Sequence, residues 1–181
     1  MGLNPFDQPN VEAAKELARS MVSEYIRMGC LPDGEWAPRS GASLAPLLRQ
    51  AQPGSYIALQ AYVQPTAETD AALLSLRMRL RTKYGLSTTA GYGPRFLHST
   101  GQLHKGDAGK GLFVQLVSAD VRDVEIPDLA GSTDSPITFG VLKAAQALGD
   151  WQALRAAGRK VIRLRLGTQA AAEIDSLGRD L

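Results

Sequence analysis

The chain carries a single cysteine, Cys30, which excludes an internal disulfide and a cysteine zinc cluster and fits a reducing compartment. Cys30 reads as an ordinary residue following a helix. No apolar run approaches the roughly twenty residues that a membrane-crossing helix needs. The first residues lack the charged and apolar stretches of a secretion signal. The sequence is therefore read as cytoplasmic, with no membrane partner. Neither sign of charge is in excess: 20 Lys and Arg against 18 Asp and Glu leave a formal net charge of +2. Such a balance gives no field that would gather nucleic acid. The two histidines, His98 and His104, are too few for the three or four ligands of a zinc site. No Walker loop or dinucleotide fingerprint is present, so no metal and no flavin or nicotinamide cofactor is expected.

What is present suffices for one good core, since 44% of the 181 residues are hydrophobic. The segment Asn4 to Lys15, NPFDQPNVEAAK, joins a turn to a helix start. Pro5 and Pro9 disfavour helix at Asn4 and Gln8, so the chain enters extended. Asp7 or Asn10 is placed to cap the first turn, and Pro9 is tolerated there because its missing N–H is not needed. From Val11 to Ile26 the apolar residues keep helical spacing. Lys15 falls on the more polar side, beside Glu12 and Arg19, where an i, i+3 carboxylate partner is the ordinary expectation.

Residues 31–54 are rich in Pro, Gly and Ser and read as a linker holding one brief helix around Ser43 to Gln50, with Trp36 covering the core. Tyr56 to Val63 places Ile57, Leu59, Ala61 and Val63 on one face of a strand. A helix from Glu68 to Tyr84 follows, with Leu73, Leu76 and Leu80 inward, Arg77, Arg79, Arg81 and Lys83 on a solvated face, and Gly85 as its stop. Strands are then expected at Leu86 to Ala90, Leu112 to Val117 and, briefly, Asp123 to Ile126. A helix from Thr138 to Leu148, with a continuation to Leu154 after a break at Gly149, has Phe139, Leu142 and Leu148 as core residues. The last strand is Val161 to Leu166, and a helix over Gln169 to Leu177 closes the chain. Arg163 and Arg165 share one face of that strand, which is expected to be wet or to meet acidic neighbours. The order β, α, β, β, α, β suggests an α+β ferredoxin-like sandwich with a mainly antiparallel sheet and an N-terminal helical extension. A three-layer α/β fragment with parallel pairing is the alternative. The division is 1–30 for the opening segment and helix, 31–54 for the linker and 55–181 for the α+β domain.

Between Gly91 and Gly111 lies GYGPRFLHSTGQLHKGDAGKG. Glycine lets backbone N–H groups approach an anion closely, and Arg and Lys supply charge. Arg95, His98, Ser99, Thr100, Gln102, His104 and Lys105 are therefore candidates for binding a phosphorylated ligand. A structured loop with internally satisfied side chains is the competing expectation.

NPFDQPNVEAAK resembles a signature near the carboxyl end of glucose-6-phosphate isomerases, matched at Asn4, Pro5, Phe6, Asp7, Gln8, Pro9, Val11, Glu12 and Lys15, with Asn10 where glycine is more usual. In that family the string comes almost last; here it comes first. GYGPRFLHSTGQLHKG, followed by TFGVLKAAQALGDWQAL and a strand ending in RLG, is similar to the carboxyl-terminal region of bifunctional transaldolase/glucose-6-phosphate isomerase fusions. The resemblance implies a place in glycolysis and gluconeogenesis, interconverting glucose 6-phosphate and fructose 6-phosphate through an enediol. It implies that Lys15 is the catalytic position close to the substrate. The family's glutamate base, ring-opening histidine and Ser/Thr-rich phosphate loop belong to segments absent here. The expectation is thus the carboxyl-terminal portion of an isomerase, inactive alone and completed by an upstream segment or a second subunit. The alternative is a non-catalytic sugar-phosphate-binding or assembly module.

Overall fold

The computed structural model describes Asn4 and residues 7–181, so Pro5 and Phe6 of the opening motif lie outside the described residues. Pro9 opens α1 (Pro9–Met28), which closes on Gly29 in the left-handed conformation, φ +74°. Its N-cap is Gln8 and makes no side-chain cap, so neither Asp7 nor Asn10 caps this helix as expected. Asp7 instead accepts from Asn4 Nδ2 at 3.0 Å, closing the turn ahead of the helix. A 3-10 turn at Gly41–Leu44 runs into α2 (Ala45–Leu48).

Then follow β1 (Tyr56–Tyr62), α3 (Ala67–Tyr84), β2 (Ser87–Tyr92), α4 (Ser99–Gly106), β3 (Gly111–Ser118), β4 (Glu125–Ile126), β5 (Ile137–Thr138), α5 (Phe139–Ala156), β6 (Lys160–Leu166) and α6 (Ala170–Arg179). Thr66 fixes the start of α3 by a capping box with Thr69: each side chain accepts from the other's backbone N–H. Thr138 does the same service for α5, accepting from Val141 N at 3.1 Å.

Four strands form one sheet in the order β2-β1-β3-β6, and β4 and β5 make a small separate antiparallel pair. The mixed helix and strand class holds. All three pairings of the main sheet are parallel, however, with Tyr56 opposite both Ser87 and Gly111, and Leu112 opposite Lys160. The architecture is thus the three-layer α/β alternative, and the antiparallel ferredoxin-like pairing does not form. The physical reason is that each strand connects to the next main-sheet strand through a helix, which carries the chain back to the same end of the sheet. With right-handed crossovers, connections moving in opposite directions along the sheet place their helices on opposite faces. So α3 covers one face, joined by α6, while α4 and α5 cover the other.

On the α3 side the core is built from Ile57, Leu59, Ala61, Val63, Leu112, Val114, Leu116, Leu164 and Leu166 of the sheet, against Leu73, Leu76, Leu80, Ile174 and Leu177. Leu44, Leu47 and Leu48 of the 31–54 segment join the same core. Ala37 N donates to Arg163 O at 2.8 Å and makes a parallel bridge at Leu164, so this segment also borders the β6 edge.

On the opposite face α1 packs across α5. The contact is close because Gly149 has no side chain: a Cβ there would stand 2.7 Å from Ala18 N. Two expectations fail on this side. Phe139 is 59% exposed at the first turn of α5, on the rim and not in the core, whereas Leu148 is buried. Arg163 is buried and pairs with no acid among the described residues; its guanidinium stacks on Trp36 and Trp151, while Arg165 on the same strand face is exposed as expected. Among the described residues no helix is long and apolar enough to cross a membrane.

Candidate functional site

The two segments singled out in the sequence, ninety residues apart in the chain, meet. Gln8 Nε2 donates to Ser99 Oγ at 3.1 Å, and Asn10 N donates to Gln102 Oε1 at 3.0 Å. The first turn of α1 therefore lies along α4. Lys15, one turn further, lines a groove of about 400 Å³ with Leu97, Arg19, Val22, Leu142 and Gln146. Its ammonium donates to Glu12 Oε1 at 2.7 Å, and this contact holds the Glu12 carboxyl below the usual carboxylate range. Arg95, His98, Ser99 and Thr100 are exposed around the N-terminus of α4. With Gln8, which reaches Ser99, they present hydroxyls, an imidazole and a guanidinium, while Lys15 lines the groove beside Leu97. Such a surface can bind an anionic, hydroxylated molecule by charge-assisted hydrogen bonds.

Gln102, His104 and Lys105 take a different part. Gln102 is committed to Asn10. His104 is buried between Phe96, stacked at 5.6 Å, and Phe113 at 5.0 Å, with Gln60 Nε2 3.3 Å from its Nδ1. Burial first, and the charge of Lys105 second, push its pKa down to about 4. Lys105 is 2% exposed; its ammonium pairs with the equally buried Asp150 and donates to Phe96 O at 3.2 Å. Burial raises the Asp150 carboxyl even though Lys105 pulls it back. The segment read as a possible loop is thus a 3-10 turn at Arg95–Leu97 followed by α4. One side of α4 is internal and the other faces out. Gly101, His104 and Lys105 mark the inner side, and Ser99, Thr100 and Leu103 the outer.

A larger cleft lies elsewhere. The chain leaves β1 toward β2 and leaves β3 toward β6, in opposite directions along the sheet, so the carboxyl ends of β1 and β3 flank a switch point, the usual place for a ligand in a parallel sheet. A crevice of about 1010 Å³ opens there, walled by Gln64 to Thr69 after β1, Ser118 to Arg122 after β3, Lys143 of α5 and Thr168 to Ala171 after β6. Lys143 Nζ donates to Ser118 O at 3.1 Å and pairs with Asp120. Sequence reasoning missed this crevice because its position depends on strand order, which no local pattern encodes. Among the described residues no group of three His, Cys, Asp or Glu stands where it could hold a metal ion.

No family model and no curated protein matches this chain. Among solved structures it is similar to a hypothetical protein, TT0462 from Thermus thermophilus, with a TM-score of 0.57 and 21% sequence identity. The match covers 92% of this chain and 43% of that one, so the chain spans less than half the length of its structural neighbour. At that identity the likeness shows the fold alone.

Proposed function

We propose that this chain is the carboxyl-terminal portion of a glucose-6-phosphate isomerase, contributing Lys15 to a sugar-phosphate site that an upstream segment or a second subunit completes. The observation that carries this reading is the contact of the NPFDQPNVEAAK segment with α4 through Gln8 to Ser99 and Asn10 to Gln102. The two stretches that resemble isomerase sequences form one surface. Moving a proton between C1 and C2 of a hexose phosphate needs a base within hydrogen-bond reach of the carbon. Glu12 is the carboxylate in contact with Lys15, and it is engaged by that lysine. The base therefore comes from outside this surface. Lys15 supplies a cation for the oxyanion of the enediol or for the phosphate, and His98, exposed at the start of α4, supplies a proton donor.

The test is isomerase activity of the chain with and without the upstream isomerase half, beside a titration of the chain alone with fructose 6-phosphate. Activity restored only by the added half, and reduced about a hundredfold or more by Lys15→Ala, is the expected result. Turnover by the isolated chain at enzymatic speed overturns the claim of incompleteness. No activity in the mixture and no binding alone overturns the reading itself. The Lys15 to Glu12 contact favours a second reading, a sugar-phosphate-binding or assembly module that never turns its ligand over; tight binding without activity in the mixture would select it.

A further inference from the structure

We propose that the cavity between residues 31–36 and the carboxyl ends of β3 and β6 binds a phosphate monoester bearing hydroxyl groups, with Arg163 and Arg165 as its anion receptors. This stands independently of the isomerase reading. The cavity measures about 370 Å³ and is walled by Trp36, Val117, Ser118, Leu148, Arg163 and Arg165. It shares Ser118 and Ala119 with the switch-point crevice and so adjoins it at the carboxyl ends of the strands.

Two arginines, unpaired among the described residues, dominate its polar wall. Arg163 is 4% exposed, its Nε donates to the neutral Gln115 Oε1 at 2.8 Å, and its Nη1 has no acceptor among the described residues. Arg165 is exposed; its guanidinium lies 4.5 Å from the centre of the Trp36 ring, and that of Arg163 lies 4.0 Å from it. Among the described residues neither arginine forms an ion pair. The other buried cation of this face, Lys105, has its carboxylate in Asp150. Trp36 Nε1 is a second buried donor without an acceptor among the described residues. Buried charge is normally paired, and here the buried Arg163 and the exposed Arg165 share an aromatic platform without forming an ion pair among the described residues, the nearest carboxylate of the cavity wall being the exposed Asp33. The unfilled demand is for an acceptor of high negative charge. A dianionic phosphate group satisfies two guanidiniums where a carboxylate satisfies one. Asp33, exposed on the same cavity wall, is an acceptor for hydroxyl groups on the rest of the ligand.

Trp36 and Trp151, which stack with Arg163, are the two tryptophans of the chain, so indole emission reports on the site directly. The full chain is titrated with glycerol 3-phosphate, with glycerol and with acetate. A saturable emission change with glycerol 3-phosphate, far weaker with the other two, is the expected result. Arg165→Gln should weaken it ~10- to 100-fold with the unfolding midpoint unchanged, because Arg165 is exposed. Arg163→Lys, which keeps the charge and loses the fork, should also weaken it. No saturable change at millimolar glycerol 3-phosphate overturns the proposal, as does equal affinity in Arg165→Gln, or acetate binding as well as the phosphate. Loss of binding in Lys15→Ala with Arg165→Gln unaffected would place the phosphate on the α1 and α4 surface instead, which overturns this site and leaves the isomerase reading standing.

Discussion

The sheet face that meets α3 and α6 is closed almost entirely by Leu, Ile, Val and Ala, while the face that meets α1, α4 and α5 encloses Gln60, Tyr62, His104, Lys105, Gln115, Asp150 and Arg163. The same strands serve both: β1 sends Ile57, Leu59 and Ala61 one way and Ala58, Gln60 and Tyr62 the other. Apolar burial is non-directional and insensitive to pH, so the first face tolerates exchange of one aliphatic for another. Buried polar groups are directional, and each depends on its partner. Tyr62 OH, Gln60 Oε1, Asp150 Oδ2 and Arg163 Nη1 have no partner among the described residues, so this face also holds unspent hydrogen-bonding capacity. Apolar packing dominates one side of the sheet and directional polar pairing the other.

The sharpest way to test that contrast is to strip one charge from the polar face. Asp150→Ala leaves the Lys105 ammonium buried and uncompensated, and should cost ~3–5 kcal/mol, read from chemical denaturation. The double variant Lys105→Met with Asp150→Leu removes both charges and should recover most of that loss. If the single and double variants were equally destabilised, the cost would belong to packing and the contrast between faces would fail. On the apolar face Leu76→Ala, at a side chain with no exposure, should cost ~2–5 kcal/mol, with no second change able to restore it by charge.

The pH dependence of stability separates the faces further. The unfolded chain protonates His104 near its ordinary 6.5 and the folded chain near 4, because the buried ring favours its neutral form. Between those values the unfolded state binds more protons, so stability falls as the pH falls through the window, by up to about 3 kcal/mol. Asp150 acts in the opposite sense above its ordinary 3.8, since its folded carboxyl is raised. His104→Phe, which keeps an aromatic ring between Phe96 and Phe113, should flatten the fall between pH 6.5 and 4. A variant with an unchanged slope would show that His104 is not the group responsible.

Much of the apolar face is legible in the sequence, and much of the polar face is not. Ile57, Leu59, Ala61 and Val63 alternate, and Leu73, Leu76 and Leu80 keep a helical stripe, so each local pattern names its own element. Alternation is the same in parallel and antiparallel strands, and the direction of pairing therefore escapes it. The signal that settles it is β3, GLFVQLVS, buried along its whole length as a central parallel strand should be. Arg163 reads as wet because charge usually is; its burial depends on Trp151 of the preceding helix and on Trp36, which approaches from a distant part of the chain. The motif at Asn4 to Lys15 and the polar stretch after Gly91 are each visible, but their meeting through Gln8 and Ser99 is a product of the tertiary fold.

A smaller effect is expected where the polar face is sealed by α1. Gly149→Ala places a methyl 2.7 Å from Ala18 N, 3.0 Å from its Cα and 3.2 Å from Ala14 O. These are backbone atoms of a helix, so the neighbour cannot yield by rotating a side chain, and α1 must move off α5. A loss of ~1–3 kcal/mol follows from such overpacking. Hydrogen exchange should rise in α1 and α4, which share the Asn10 to Gln102 bond, and stay unchanged in α3 and α6 across the sheet. Exchange rising equally in α3 and α6 would mean that the two faces unfold as one unit.

The smallest change in stability belongs to Lys15→Ala. Its ammonium is partly exposed and its partner Glu12 is exposed, a setting in which an ion pair on a helix surface adds little. The unfolding midpoint should stay where it is, while the Glu12 carboxyl, now held below the usual range by this lysine, should titrate closer to its ordinary value of 4.5 by NMR. A residue whose removal leaves the fold intact but frees a neighbouring carboxylate belongs to the surface chemistry of the α1 and α4 patch. A marked drop in the midpoint would instead make Lys15 part of the scaffold, and would remove it from any site built on that surface.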